Sequence, residues 1–374
     1  MSARLCLYFN GLASYRKTIF TMIDKEDQCK WYLPQSDLGL KQFEDRELKD
    51  VTRLKTLRFG PFFYVKGLLP LLRKDFDAYF MLGETGNISL FLFCLVKKLF
   101  YPQKRVCFWT HGFYGKESWV ELTFWKRPFF KLADALFPYG DYSRKLMIED
   151  GFDGNRIFPI HNSLDYNTQM ELRKQVKKTD VFIRHFNSNS PVVIFLGRLT
   201  AIKCLDMLVQ AISILKRRGF ACNLVFVGDG PERKNLEVLA QREEISNQIW
   251  LYGECYDEQI NAELLYNSNL CVAPGNIGLT AIHSLMFGCP AISHNDFYHQ
   301  MPEFEAIKEN ATGDFFEYGN VDSLADTIEK WLKNHKGNQE EVREACYKEV
   351  DTNWNPYYQM DIVKYCCPIK IGID

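Results

Sequence analysis

Val192-Val193-Ile194-Phe195-Leu196-Gly197-Arg198, with Lys203 five residues further on, is the stretch on which the reading of this chain turns. A short apolar run rich in β-branched residues and closed by glycine is the pattern of a strand buried on both faces of a parallel sheet. Because that strand stops at Gly-Arg and Lys follows at a helix start, two cations and several backbone N–H groups reach the carboxyl edge of the sheet. Such an edge suits a diphosphate. Further along, Pro274-Gly275-Asn276-Ile277-Gly278-Leu279-Thr280-Ala281-Ile282-His283 reads as a glycine-rich turn into a helix.

Outward from these motifs the alternation continues. Strands are expected at 192–197, 223–227, 249–252, 270–273 and 290–293, with helices at about 203–217, 231–240, 257–267, 279–287 and 321–332. The runs are short, β-branched or aromatic, and bounded by Gly, Pro or Asn. Leu224-Val225-Phe226-Val227-Gly228-Asp229-Gly230-Pro231 is a strand, a glycine turn and Pro at the first helical position. The first half shows the same pattern, with strands at 4–9, 78–82, 105–110, 135–139 and 156–160. Helices are expected at 12–22, at 85–99 and from near Asp141.

Two positions stand out there. Gly11, at the first strand-to-helix turn, permits close approach of backbone to a ligand, or serves the turn alone. His111, before Gly112, ends a strand at the ligand-binding edge, with a satisfied structural histidine as the alternative. Residues 166–190 turn polar and basic, which sets the expected boundary between a domain at 1–186 and another at 187–350. A C-terminal segment, 351–374, offers Trp354, Tyr357 and Tyr358 for docking on a domain surface.

Composition limits the function classes. The 374 residues are 47% apolar and 25% charged, enough for two cored domains and unlike a disordered chain. A net charge of −1 gives no general reason to expect nucleic acid. The twelve cysteines lack CxxC or Cys/His ligand spacing, so reduced thiols in a cytoplasmic protein and no metal site are expected. GxGxxG and GxxxxGK[ST] are both absent, leaving no dinucleotide fingerprint or Walker loop. The uncharged run 87–96 is far short of the roughly 20 residues a membrane span needs. In 60–72 and in 119–132, however, aromatic and aliphatic residues mix with Lys and Arg. This pattern suits an interfacial helix on an anionic membrane, or equally an amphipathic helix facing a core.

In order, the chain carries Phe195-Leu196-Gly197-Arg198 with Lys203, Val227-Gly228-Asp229-Gly230-Pro231, Leu251-Tyr252-Gly253, Ala273-Pro274 with Gly278-Leu279-Thr280, Gly288-Cys289-Pro290-Ala291-Ile292, and Thr312-Gly313-Asp314-Phe315-Phe316. With these motifs the second half resembles the retaining GT-B glycosyltransferases that use sugar nucleotides (glycosyltransferase family 4-like, glycosyl transferases group 1). The resemblance implies an α/β fold of two doubly wound Rossmann-like domains facing across a cleft. It also implies a C-terminal helix returning to the N-terminal domain, donor binding in the second domain and acceptor binding in the first.

On that resemblance Arg198 and Lys203 neutralise the donor diphosphate without a bound metal, and His111 contacts the donor sugar. Gly197, Asn276, Gly278, Leu279 and Thr280 line the phosphate turn, and Gly11 approaches the donor from the first domain. The family commonly carries two glutamates, eight positions apart, around this turn. Here those places hold Gly275 and His283. His283 retains a ring nitrogen for a ribose hydroxyl. Glu303 and Glu305, in the polar segment after the strand at 290–293, offer the missing carboxylates, or alternatively form the acidic first turn of a helix opened by Pro302.

The implied reaction is retaining transfer of a sugar from a UDP- or GDP-sugar to a saccharide or polyprenyl-diphosphate-linked oligosaccharide, as in bacterial surface-polysaccharide assembly. The donor phosphate would accept the acceptor's proton, and the expected place is the cytoplasm, including the inner face of the cytoplasmic membrane. No cofactor or nucleic-acid partner is expected. The alternatives are a catalytically inactive sugar-nucleotide-binding partner subunit and a GT-B sugar-nucleotide epimerase; the latter needs cleft carboxylates, against which the lost glutamates weigh.

Overall fold

The computed structural model describes residues 4–26, 28–35, 42–115, 117–118 and 120–366. The chain divides into two compact units, one running up to Asp165 and resuming at Pro356, the other spanning Tyr166–Asn355. The division falls between Asp165 and Tyr166, ahead of the polar segment 166–190, and not at 186/187 within it. Helices Tyr166–Gln175 and Val181–Phe186 both lie in the second unit, packed on the helix Glu258–Asn267. Thr179 is fixed there too, its N–H donating to Asn267 and its hydroxyl to Glu263. Polar composition marked a solvated face of that unit, not a hinge.

In the first unit the strands are β1 (Arg4–Tyr8), β2 (Gln28–Pro34), β3 (Val51–Leu54), the hairpin β4 (Thr56–Phe59) and β5 (Phe62–Val65), then β6 (Ala78–Leu82), β7 (Arg105–Thr110) and β8 (Ala135–Pro138). The main sheet runs β3-β2-β1-β6-β7-β8 and is parallel throughout. Its residues alternate between two buried clusters. Leu5, Leu7, Phe80 and Trp109 face one, and Cys6, Tyr8, Tyr79, Met81 and Phe108 face the other. A strand covered on both faces has no polar side, which is why its sequence shows continuous rather than alternating hydrophobicity.

The second unit repeats the design with β9 (Val192–Leu196), β10 (Asn223–Val227), β11 (Ile249–Gly253), β12 (Leu270–Val272), β13 (Ala291–His294) and β14 (Gly313–Phe316), in the order β11-β10-β9-β12-β13-β14. In both units the strand order reverses beside the first strand, between β1 and β6 and between β9 and β12. That reversal opens a crevice at the carboxyl edge, the ligand site of doubly wound sheets.

One expected strand is corrected. Residues 156–160 run beside β8 and donate from Phe158 to Leu136 and from Ile160 to Pro138, each at 2.8 Å, but no strand forms. A single bridge, Leu136 to Ile157, is formed, and Pro159, whose nitrogen faces away from β8, leaves the outer edge without a donor. The expected helix at 12–22 begins later, at Lys17, after a tight turn over Ser14–Arg16.

The C-terminal helix Pro356–Cys366 belongs to the first unit. Met360 and Val363 join its core, while Gln359 accepts from Ser163 at 2.7 Å and donates to the His161 carbonyl at 3.0 Å. Of the other docking residues, Tyr358 stacks on His161, and Trp354 is buried in the second unit. Residues 367–374 lie outside the described residues. Among the described residues no helix is long and apolar enough to cross a membrane.

Candidate donor site in the second unit

The end of β9 is built by glycines that admit no side chain. Gly197 donates to Val227 and Leu199 to Asp229, stitching the loop after β9 to the loop after β10. A Cβ on Gly228 would lie 2.0 Å from the Gly197 carbonyl oxygen, and one on Gly230 would lie 2.3 Å from that of Leu199. Both also hold positive φ, 143° and 159°. The Gly-Asp-Gly motif is thus a packing requirement that fixes where Arg198 emerges. Arg198 itself is exposed and carries no ion pair among the described residues. A guanidinium left without a carboxylate is available to an anionic ligand.

Lys203, at the end of the short turn Ala201–Lys203 in the same loop, is held by Asn276: its Nζ donates to the Asn276 carbonyl and side-chain oxygens, both at 2.7 Å. Burial pushes its pKa below the ordinary lysine value, and the charge of Glu303 opposes that shift. Glu303 is buried, and Glu305 follows it in the short 3-10 helix Pro302–Ala306, which Pro302 opens. The helix-start geometry is therefore present, and it sets the Glu303 charge near Lys203.

Gly275 donates to the Lys203 carbonyl at 2.9 Å, and a Cβ there would meet the Ile202 carbonyl oxygen at 2.1 Å. In this backbone the position admits only glycine, so no side chain can stand there. Gly278 takes φ 57° and leads through Leu279 into the helix Thr280–Met286. The Thr280 hydroxyl donates to the last carbonyl of β9, at Leu196, across the switch point. One turn further, His283 Nε2 lies 2.8 Å from Glu258 Oε1, which also accepts from Gln169 at 2.7 Å. Burial raises the Glu258 pKa, but the His283 contact and the hydrogen bond from Gln169 together pull it below the ordinary glutamate value.

Sequence reading missed three members of this site: Glu258, Ser293 and Gln300. Gln300 accepts from the Ile277 N–H and donates to Ser293 and to the His294 carbonyl. Ser293 in turn donates to the carbonyls of Ala273 and Gly275. This buried network sets the path of 273–278 from behind. Its only trace in the sequence is the density of hydrogen-bonding groups after β13.

In the first unit Gly11 is buried just beyond β1, next to Asn10, whose amide donates to Glu84 at 3.3 Å across that unit's own switch point. His111 follows β7 and packs against Tyr139, with ring centroids 4.8 Å apart. The ring is open to solvent, yet desolvation and the charges of Arg16 and Lys126 push its pKa below that of free imidazole. It is neutral at pH 7. Gly112, at φ 66°, lets the chain pass Ser143, whose Oγ would lie 2.0 Å from a Cβ.

A cavity of about 650 Å³ in the second unit is lined by Pro191, Asn269 and Pro290, each just ahead of a strand. It lies at the amino edge of the sheet and is separate from the Arg198 site.

The doubly wound order of both sheets, with cations and a glycine turn at the second switch point, defines a GT-B protein. Residues 176–349 match the model of glycosyl transferases group 1, the family that the ordered motifs of the second half resemble. It is 24% identical over 161 residues to alpha-D-kanosaminyltransferase of Streptomyces kanamyceticus, covering 42% of this chain and 40% of that protein. It is 33% identical over 104 residues to a GDP-mannose-dependent alpha-(1-6)-phosphatidylinositol dimannoside mannosyltransferase of Mycobacterium tuberculosis, 27% of this chain and 26% of that one. The matches therefore span less than half the length of these relatives. The solved structure of Anabaena HepE in complex with UDP shares the fold, with a TM-score of 0.71 at 15% identity, covering 98% of this chain and all of that one.

Proposed function

We propose that the chain is a retaining, metal-independent glycosyltransferase that moves a sugar from a UDP- or GDP-sugar to a saccharide or lipid-linked oligosaccharide. The observation that carries this reading is the pair Arg198 and Lys203 at the β9 edge, one cation without a carboxylate partner and the other anchored by Asn276. When the bond from the anomeric carbon to the diphosphate breaks, negative charge grows on the leaving oxygens. The anchored Lys203 and the solvent-facing Arg198 stabilise that charge more in the transition state than in the bound donor.

The acceptor hydroxyl attacks from the face the diphosphate is leaving, and its proton passes to a departing phosphate oxygen. No carboxylate base is needed, so the glycine at 275 does not remove a catalytic group. His283, held by Glu258, takes the place of the family's second glutamate and hydrogen-bonds the donor ribose. His111, neutral at pH 7, and the buried Gly11 serve the sugar from the first unit. UDP and GDP are favoured as donor bases because HepE was solved with UDP and the mycobacterial relative is named for GDP-mannose. The acceptor belongs to surface-polysaccharide assembly on the cytoplasmic side of a membrane.

Release of UDP or GDP from a panel of nucleotide sugars, in EDTA, tests the reaction, and the anomeric configuration of the product by NMR tests retention. Arg198→Ala should lower the rate by about 10²–10³-fold, the usual loss for one oxyanion-stabilising group. An inverted product would overturn the retaining assignment. A second reading, nucleotide binding without turnover by a partner subunit, draws on the two replaced glutamates, and the same assay separates it.

A further inference from the structure

The first unit carries an apolar face that neither buried cluster uses. On the helix Ile88–Phe100, residues Ile88, Leu92, Leu95 and Leu99 recur at i, i+4, i+7 and i+11, forming one stripe. That stripe points outward: the four are 40%, 40%, 36% and 74% exposed. Two neighbouring elements extend it. In the hairpin, Leu57 and Phe59 are exposed, and the hairpin is tied to the start of this helix by bonds from Val65 N to Ser89 Oγ and from Phe63 N to Gly86 O. In the segment 120–130, Val120, Phe124 and Trp125 are exposed, whereas Phe129 and Phe130 are buried. The Trp125 ring lies 5.1 Å from Phe62, and Phe129 stacks on Phe91 at 6.3 Å, which joins the three elements into one surface. Exposed apolar side chains of the second unit, such as Ile183, Ile202 and Val238, sit singly on separate elements.

The unpaired charges around this face share one sign; the carboxylate within it, Glu121, lies 3.5 Å from Lys126. From Lys55 to Arg73 there are four cations, Lys55, Arg58, Lys66 and Arg73, and no carboxylate, in a chain whose net charge is −1. Lys55, Arg58, Lys66 and, beside the stripe, Lys98 are exposed and without ion pairs among the described residues. The cations of the 119–132 stretch behave differently: Lys126 is paired with Glu117 and Arg127 with Asp150. The anion-facing charge thus comes from the hairpin and the outer helix.

We propose that this flank is a docking surface for an anionic lipid bilayer, with the Ile88–Leu99 stripe and Phe59, Phe124 and Trp125 entering the interface and Arg58, Lys66 and Lys98 meeting lipid phosphates. An exposed apolar area rimmed by like charges gives the two signals, burial and electrostatic attraction, that stable peripheral binding requires. The inference deepens the lipid-linked acceptor proposed above and rests on that reading for its purpose. The helix starts at the carboxyl edge, where its cap Asn87 donates to the Tyr8 hydroxyl, so the flank begins beside the edge that carries Asn10 and His111.

The test is flotation of the full chain with vesicles of phosphatidylcholine alone or mixed with phosphatidylglycerol, without donor or acceptor, so its result stands apart from any failure of transfer. Wild type should bind the anionic vesicles and lose binding as salt is raised. The variant Leu92→Glu/Leu95→Glu/Leu99→Glu should bind at least about tenfold more weakly with unchanged thermal stability, and Arg58→Glu/Lys98→Glu should lose the preference for anionic lipid. Absence of wild-type flotation, binding unaffected by either variant, or a wild-type dimer dispersed by the leucine variant would each overturn the proposal, the last by assigning the face to a second copy of the chain.

Discussion

Arg198 and Lys203 differ in how they are held, and that difference makes distinguishable predictions. Arg198 meets solvent, so Arg198→Ala should leave stability within about 0.5 kcal/mol while weakening nucleotide binding. Lys203 is half-buried and tethers the 273–278 turn through Asn276, so Lys203→Ala should lower both thermal stability and affinity. Gly275→Ala, with the Ile202 carbonyl only 2.1 Å from the new Cβ, should destabilise by about 1–3 kcal/mol or more, as overpacking does. Differential scanning calorimetry checks all three. Glu258 adds a pH dependence. Its folded pKa lies below the ordinary 4.5, so its contribution is full above that value and is lost as pH falls through the folded pKa. Glu258→Gln should therefore flatten the acid limb of the stability–pH profile and raise KM for the donor, a result that an uninvolved surface glutamate would not give. The cations and glycines of this site were legible because each serves a local turn. Glu258 and Gln300 were not, since each acts on a residue 23 or more positions away in sequence.

At the scale of elements, most buried strands announced themselves, but β2 did not: its apolar run is only Trp31-Tyr32-Leu33, cut by Lys30 and Pro34, although Trp31 to Pro34 are buried. β6, β7 and β10 have the expected bounds, because strands covered on both faces leave uninterrupted apolar runs. The half-exposed ones did not. β3 is Val-Thr-Arg-Leu at a sheet edge, and β4 is Thr-Leu-Arg-Phe on a solvent-facing hairpin, so neither has a run to read. The segment 119–132 combined both expectations, its first half facing outward and its second buried; Trp119 lies outside the described residues. Packing gives its own prediction here. Phe80 is buried among Phe9, Trp109 and Phe137, with ring centroids 6.2, 5.6 and 5.1 Å away, so Phe80→Ala should cost about 3–5 kcal/mol, measured by urea unfolding. The loss should appear even with nucleotide bound, because the core of the first unit is separate from the donor site.

For the whole molecule, two copies of one topology carry different chemistry. The second presents Arg198 and Lys203 at its switch point, while the first presents Asn10, Glu84 and a neutral His111, with the charge of Arg16 acting on both Glu84 and His111. That difference agrees with the proposed division of labour between diphosphate and sugar binding, an expectation that came from the ordered motifs and not from composition, with its net charge of −1. The central claim is that Arg198 and Lys203 form a diphosphate site that works without a metal. The measurement that tests it most directly is thermal stability against UDP, GDP, dTDP, CMP and ADP, with and without EDTA, in wild type and Arg198→Ala. A ligand of the native state at a hundredfold excess over Kd adds about 2.7 kcal/mol. The account predicts a rise with UDP or GDP that persists in EDTA and is lost in Arg198→Ala; no rise with any nucleotide, or one abolished by EDTA, would contradict it.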